Sequence, residues 1–206
     1  MNACESILGL SPYQGGKPIE ELERELGIKN ITKLASNENP LGISKKVSDA
    51  IKNSLPNINR YPDGNAFELK KAISNKLSIK PEQISLGNGS NELLELIARV
   101  FVSESSDEVI FSEYAFVVYP LVTQALGATA QVSPAKNFGH DLNAMLRLIN
   151  SNTKLIFVAN PNNPTGTLLS NEEIYSFLNQ VPNHIPVVLD QAYFCLLYTS
   201  DAADER

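Results

Sequence analysis

Residues 154–166 read KLIFVANPNNPTG, an apolar run followed by a loop of asparagines and prolines closed by a threonine and a glycine. A short continuous apolar run of this kind is typical of a buried strand. A turn needs only two or three loop-forming residues, whereas seven follow here that neither pack in a core nor propagate a helix. The length of this loop, residues 160–166, therefore indicates that the loop has a binding role.

Outward from this stretch, apolar segments with strand and helix patterns alternate along the chain. This alternation predicts an α/β protein with a mainly parallel sheet and helices on both of its faces. The predicted strands are 83–86, 108–112, 128–133, 154–159 and 185–190. The predicted helices are 19–27, 43–55, 66–77, 90–101, 115–126, 141–150 and 171–181.

Local signals support several of these helices. Ser170 and Glu173 have the spacing of a capping box, which predicts a helix start at this point. Pro120 comes early enough in its helix to be absorbed in the first turns. The apolar stripe expected on helix 90–101 consists of Leu93, Leu96, Ile97 and Val100.

Composition limits the classes of function. The 206 residues are 43% hydrophobic and 19% charged, ordinary values for a soluble globular protein. A net charge of -6 argues against a nucleic-acid partner, because phosphate binding rests on basic patches. We see no apolar run that could span a bilayer and no basic leader, so we expect a cytoplasmic protein without a membrane partner. Cys4 and Cys195 match no metal or disulfide spacing and are expected to be free thiols.

Polar or aromatic groups follow four of the predicted strands. The segments are GNGSNE at 87–92, EYAFVVY at 113–119, the loop 160–166, and Asp190 with Tyr193. Ligands of open α/β sheets bind beyond the carboxyl ends of the strands. These four exits together could line one site.

Taken singly, these groups leave the ligand open. The glycines of 87–92 allow a sharp turn, Ser90 can cap the helix that follows, and the free N–H groups there suit a phosphate. The alternative is simply a good helix cap after a tight turn. Neither a dinucleotide nor a P-loop pattern is present, so nucleoside triphosphates are not indicated. Asp190 needs a partner, which magnesium, an arginine or a protonated pyridine nitrogen would supply.

In order along the chain, the phosphate turn, an aromatic residue, N-P-x-N-P-T-G and a strand ending in D-x-A-Y resemble the fold-type I aminotransferases, which use pyridoxal 5′-phosphate. The segments SPYQGGKPIEELERELGI (11–28), KLASNENPLG (33–42) and NRYPDG (59–64) are similar to the histidinol-phosphate aminotransferase family in particular. The resemblance runs from about Ile7 to Phe194 and covers roughly the amino-terminal half of such an enzyme.

The resemblance implies how the cofactor would be bound. Gly89, Ser90 and Asn91 would bind its phosphate at the helix start, and Phe116, where the family often has tyrosine, would stack on the pyridine ring.

Three further residues would bind the edge of the ring. Asn163 and Tyr193 would hydrogen-bond its 3′-oxygen, and Asp190 would keep its nitrogen protonated, which makes the ring an electron sink. The loop backbone that aims Asn163 would be fixed by Pro161, Pro164 and Gly166.

Other positions are implied to face the substrate or a second subunit. Tyr13 and Asn37 resemble residues that close over the substrate, and Glu92 would lie near its imidazole. Tyr61 resembles a tyrosine that reaches the cofactor phosphate of the neighbouring subunit, which implies a homodimer.

Two histidines play no part in these implied roles. His140 and His184 match no family position, and we expect both at the surface or in loops.

The catalytic lysine of the family has no counterpart in this chain. Transamination needs a lysine that forms a Schiff base and shuttles a proton, and in the family it follows D-x-A-Y by some tens of residues. The last of the twelve lysines here is Lys154, and the only arginine after Arg147 is Arg206. The final residues, CLLYTSDAADER, depart from the family pattern and resemble translated sequencing-adapter sequence.

We therefore expect three regions in the chain. Residues 1–50 form an amino-terminal arm with part of a small domain, 51–194 form an incomplete cofactor-binding domain, and 195–206 are a non-native tail.

The implied reaction converts L-histidinol phosphate and 2-oxoglutarate to imidazole acetol phosphate and L-glutamate, in histidine biosynthesis. The chain as written is expected to be inactive, with weak non-covalent cofactor binding at best. Alternatives of the same fold are an aromatic amino acid aminotransferase and a phosphothreonine decarboxylase. A non-catalytic partner subunit is another alternative, while a sugar-nucleotide transferase with Asp190 as a metal ligand would want a second carboxylate nearby.

Overall fold

A computed structural model describes residues 4–11 and 15–197, which separate into two compact units. One unit comprises residues 4–11 and 86–197, and the other comprises residues 15–85. The predicted regions 1–50, 51–194 and 195–206 stay a prediction. The helices are α1 Glu5–Leu8, α2 Ile19–Leu26, α3 Lys45–Ser54, α4 Phe67–Leu77, α5 Gly89–Phe101, α6 Val118–Ala125, α7 Leu142–Leu148 and α8 Asn171–Leu178, with single 3₁₀ turns at Leu55–Asn57 and Pro81–Gln83.

Six strands lie in the unit that contains the loop 160–166. They are β1 Glu108–Ser112, β2 Thr129–Ser133, β3 Ala135–Lys136, β4 Gly139–His140, β5 Thr153–Ala159 and β6 Val187–Asp190. Four of them form one parallel sheet in the order β2-β1-β5-β6, and β3 and β4 form a short antiparallel hairpin. The prediction of a mainly parallel α/β sheet is confirmed.

Strand β5 shows why the sheet is covered on both faces. Successive side chains of a strand point to opposite faces. Leu155 and Phe157 accordingly join a cluster with residues of α5 and α6. Ile156 and Val158 join a second cluster with residues of α7 and α8. All four side chains are fully or almost fully buried, so the central strand is apolar throughout because both of its faces are core.

The start of α8 follows the predicted capping box. Ser170 Oγ accepts from the Glu173 N–H, and Glu173 Oε2 accepts from the Ser170 N–H. Pro120 lies in the first turn of α6, where the missing N–H costs no helical hydrogen bond, as predicted.

The structure corrects two predictions about the region before β1. Residues 84–86 belong to no strand: Ile84 is buried and has an extended backbone, but no strand of the described chain pairs with this segment. The stripe on α5 is right only in part: Ile97 packs against the core and Leu93 is half-buried, but Leu96 and Val100 are exposed. The fully buried residues of the helix are Leu94 and Ala98, which the prediction left out. The buried face of α5 therefore lies about one residue from the predicted one.

The unit of residues 15–85 lacks a core of this kind. None of its helices, α2 to α4, contains a buried residue. No helix in the described part of the chain is both long and apolar enough to cross a membrane.

Candidate cofactor site

The loop 160–166 follows β5 at the carboxyl end of the sheet, and hydrogen bonds of its first asparagine, Asn160, anchor it. Asn160 is 6% exposed, and its side chain closes a two-way bridge to Leu169. Its Nδ2 donates to the Leu169 carbonyl at 3.0 Å, and its Oδ1 accepts from the Leu169 N–H at 2.8 Å. The Asn160 N–H also donates to the Asp190 carbonyl at 2.9 Å, which joins the loop to the end of β6.

The second asparagine, Asn162, makes hydrogen bonds within the loop and to the segment after β1. Asn162 is 4% exposed, and its Nδ2 donates to the Tyr114 carbonyl at 2.9 Å and to Thr165 Oγ1 at 2.7 Å. Its carbonyl accepts from the Gly166 N–H at 2.9 Å. Gly166 has φ +70°, a left-handed conformation that glycine adopts without strain. The loop is thus a rigid support built from its own side chains.

Asn163 has a different role from these two. It is half-buried, and its Nδ2 donates to the Tyr193 hydroxyl at 3.2 Å. Both side chains line a pocket of about 90 Å³. The other residues lining this pocket are Ser90, Phe116, Ala159, Pro161, Asp190 and Ala192. Five of the predicted cofactor-binding residues therefore lie together, although they come from four separate segments of the chain.

Asp190, at the end of β6, is held from two sides. Its Oδ2 accepts from the Tyr119 hydroxyl at 2.8 Å, and its Oδ1 accepts from the Ala192 N–H at 3.1 Å. Tyr119 is fully buried and stacks on Phe157, with ring centroids 4.6 Å apart and planes 6° apart. Burial, and then the negative charge of Asp190, raise the pKa of Tyr119 far above its usual value, so its hydroxyl remains a donor.

Phe116 supplies the apolar wall of the pocket. It is half-buried, and it packs edge-on against Tyr119, with centroids 6.0 Å apart and planes at 84°. An edge-to-face contact of this kind fixes the orientation of the ring. The same tyrosine therefore contacts the aromatic wall and the carboxylate of the pocket.

The turn before α5 corrects one prediction. Ser90 is not the helix cap, because α5 begins at Gly89 and Asn88 occupies the cap position. Gly89 has φ +78°, and its N–H donates to the Gly87 carbonyl at 3.0 Å. The N–H groups of Ser90 and Asn91 have no hydrogen-bond partner within the described chain, so these two amides are available at the positive end of the helix.

Glu92 contacts this turn as well. Its Oε2 accepts from the Asn88 N–H, which closes the turn from inside the helix. The structure therefore gives Glu92 a helix-start contact, while its predicted place near the substrate stays a prediction.

The remaining predicted residues lie elsewhere. Asn37 and Tyr61 belong to the unit of residues 15–85, and Tyr61 is fully exposed. Tyr13 lies outside the described residues. No cluster of three metal-binding side chains occurs within residues 4–11 and 15–197.

The expectation for His140 was wrong, whereas His184 is exposed as expected. His140 ends the β3–β4 hairpin, is 7% exposed, and places its Nε2 2.8 Å from the Ala159 carbonyl. Burial lowers the pKa of His140, so the ring is neutral at neutral pH.

Sequence reasoning missed three residues that support the site: Tyr119, Asn160 and Asn162. A usable signal existed for Tyr119, since it follows Phe116 at a spacing of three within the predicted helix 115–126, although α6 itself begins at Val118. The two asparagines stood in the quoted loop, but nothing in the sequence distinguishes the asparagines that hold the loop from the one that lines the pocket.

A carboxylate, an aromatic wall, an amide–phenol pair and free helix-start amides meet at the carboxyl ends of parallel strands. This arrangement defines an α/β protein with a candidate ligand site at the carboxyl edge of its parallel sheet.

Comparison with known proteins narrows this class. The family model of class I and II aminotransferases matches residues 29–205, and the chain belongs to this family.

Curated relatives give the same indication. The chain is 63% identical over 191 residues to histidinol-phosphate aminotransferase 1 of Mannheimia succiniciproducens, a match that covers 93% of this chain and 52% of that protein. It is 60% identical to histidinol-phosphate aminotransferase 2 of Pasteurella multocida, with coverage of 92% and 52%. The chain thus spans about half the length of these relatives.

The fold matches solved structures of the same kind. Histidinol-phosphate aminotransferase from Sinorhizobium meliloti, solved in complex with pyridoxal 5′-phosphate, superposes with a TM-score of 0.82 at 27% identity. The superposition covers 92% of this chain and 50% of that one.

Proposed function

We propose that this chain is the cofactor-binding part of a pyridoxal 5′-phosphate-dependent aminotransferase. The proposed reaction transfers an amino group from L-histidinol phosphate to 2-oxoglutarate, in histidine biosynthesis. The observation that carries the proposal is the convergence of Phe116, Asn163, Asp190 and Tyr193 on one pocket, in a chain of this family. The names of the two curated relatives support the substrate.

The residues present fit the cofactor group by group. Asp190 offers a carboxylate to a protonated ring nitrogen, and Phe116 offers an aromatic face to the ring. Asn163 and Tyr193 offer hydrogen bonds to a ring oxygen. Because the pocket holds only about 90 Å³, whereas ligand pockets measure roughly 300–1,000 Å³, these residues would cover only part of the cofactor.

Each of these groups has a task that its position suits. Bound pyridoxal phosphate supplies a ring that withdraws electrons from the carbon where negative charge develops. Asp190 would hold the proton at the ring nitrogen, which keeps that withdrawal strong. Asn163 and Tyr193 would fix the ring in its own plane through the 3′-oxygen, and Phe116 would fix it face-on.

The phosphate would be bound at the start of α5. The Ser90 and Asn91 N–H groups would donate to its oxygens, at the end of the helix where the dipole favours an anion.

Binding of the cofactor tests the first part of the proposal. Equilibrium dialysis of the 206-residue chain should show binding of pyridoxal phosphate and much weaker binding of pyridoxal, which lacks the phosphate. Asp190→Asn should weaken binding, whereas Glu172→Gln, an exposed change on α8, should not. Equal binding by wild type and Asp190→Asn would contradict the assignment of the carboxylate.

The substrate is tested by measuring turnover with a protein completed to the length of the curated relatives. We expect histidinol phosphate to be preferred over phenylalanine and phosphothreonine. A preference for phenylalanine would indicate an aromatic amino acid aminotransferase instead, and carbon dioxide release from phosphothreonine would indicate the decarboxylase.

The proposal includes a cytoplasmic homodimer. Full exposure of Tyr61 leaves its hydroxyl accessible to a second subunit. Sedimentation of the full-length protein should show a dimer, and Tyr61→Phe should weaken cofactor binding only under conditions where the dimer forms. A monomer with unchanged binding in Tyr61→Phe would contradict this part.

A further inference from the structure

We propose that Tyr119 is a positioning residue whose buried hydroxyl holds the Asp190 carboxylate in the orientation that the ring nitrogen of the cofactor requires. This inference rests on the proposed function and adds a residue from a different element of the fold. Tyr119 lies on α6, 71 residues before Asp190 at the end of β6.

The carboxylate has one donor on each oxygen, and the two donors come from different directions. The Tyr119 hydroxyl donates to Oδ2 from α6, and the Ala192 N–H donates to Oδ1 from the segment after β6. Rotation of the carboxylate about its Cβ–Cγ bond would break both bonds. Each oxygen still has acceptor capacity, since a carboxylate offers about four lone-pair sites, and the residue lines the pocket.

The packing around Tyr119 fixes the position of its hydroxyl. It has no exposed surface, its ring stacks on Phe157 of the central strand, and Phe116 packs against it edge-on. Its pKa is raised by burial and by Asp190, so the hydroxyl remains protonated and keeps donating across the neutral pH range.

A specific consequence follows for ligand binding. Without the hydroxyl, Asp190 keeps only the Ala192 N–H, and a ligand must then order the carboxylate as it binds. This loss affects only a ligand that has a ring nitrogen to meet the carboxylate. A ligand of the same shape without that nitrogen should be indifferent to the change.

The experiment compares two ligands and three proteins. The ligands are pyridoxal phosphate and its 1-deaza analogue, in which carbon replaces the ring nitrogen. The proteins are the wild type, Tyr119→Phe and Thr123→Val. The last is a matched control, because Thr123 is buried one turn further along α6 and its hydroxyl donates to the Tyr119 carbonyl rather than to Asp190.

We expect Tyr119→Phe to bind pyridoxal phosphate about tenfold more weakly, the scale of one hydrogen bond to a charged group. Its affinity for the deaza analogue should equal that of the wild type, and Thr123→Val should bind both ligands as the wild type does. The ¹⁵N chemical shift of the bound cofactor should report a protonated ring nitrogen in the wild type. In Tyr119→Phe the ring nitrogen should lose its proton at a lower pH than in the wild type. Phenylalanine keeps the ring that packs between Phe116 and Phe157, so this variant is expected to fold.

The outcomes separate the inference from the proposed function. If wild type binds neither ligand, or binds both equally, the assigned role of Asp190 fails and the inference fails with it. If wild type prefers pyridoxal phosphate but Tyr119→Phe shows the same preference, only the inference fails. An equal loss of affinity for both ligands in Tyr119→Phe would show a structural role and would also overturn it.

Discussion

Asn160 is expected to stabilise the loop 160–166 and Asn163 to bind the cofactor, and substitutions at the two positions should separate these roles. Asn160→Ala removes both bonds to Leu169, and each such bond contributes a net ~0.5–1.5 kcal/mol to stability. The Leu169 N–H and carbonyl lose their partner, but Leu169 is half-buried, so water can partly replace it. We therefore expect a loss of about 2 kcal/mol in the free energy of unfolding. Asn163→Ala removes a single 3.2 Å bond in a half-buried site and should cost under about 1 kcal/mol.

The assay pairs urea unfolding with dialysis of pyridoxal phosphate on the same preparations. Asn160→Ala should lower the unfolding midpoint and Asn163→Ala should barely move it. The order should reverse for binding, where Asn163→Ala loses a direct contact. Asn171→Ala, an exposed change in the first turn of α8, controls for removal of an asparagine elsewhere.

The reasoning is refuted if both variants lose the same stability, or if Asn160→Ala is as stable as the wild type. Either result would mean that the bridge to Leu169 does not hold the loop.

Further variants test the pKa directions and one tight turn. Burial lowers the pKa of His140 in the folded protein below its value of about 6.5 in the unfolded chain. The stability that the neutral ring contributes is therefore complete above about pH 6.5 and is lost as the pH falls below it. His140→Gln should flatten the decline in the free energy of unfolding between about pH 7 and 5. Backbone N–H donors depress the pKa of Asp107, so Asp107→Asn should be less stable than wild type at pH 7, and urea titrations should show the difference shrinking below about pH 4. A Cβ at Gly87 would lie 2.8 Å from Leu93 Cγ, so Gly87→Ala should cost roughly 1–3 kcal/mol by thermal unfolding, whereas Gly64→Ala, with no atom within 4 Å, should change stability by under ~0.5 kcal/mol.

Sequence patterns predicted the sheet because its strands are local apolar runs. Leu155 to Val158 are apolar without interruption, and a run of this kind is required where both faces of a strand are buried. Residues 84–86 have a similar pattern but form no strand, since a strand exists only with a partner and pairing is not written in the local sequence.

The site was predictable where its residues stand in ordered motifs, and it was not where their partners are distant. Asn163 lies in the loop after β5 and Asp190 ends β6, and the parallel sheet brings its strand ends to one edge. The partner of Tyr119 is 71 residues away, and that of Asn162 is 48 residues away. His140 is buried, but it lies in a two-residue strand, which is too short to show a pattern.

The most direct measurement is a crystal structure of the chain with pyridoxal 5′-phosphate. The account predicts the ring against Phe116, its nitrogen within hydrogen-bond distance of Asp190, its 3′-oxygen at Asn163 and Tyr193, and its phosphate at the start of α5. Cofactor bound elsewhere, such as in the pocket that Lys136 and Glu172 line together with residues of α7, would contradict it.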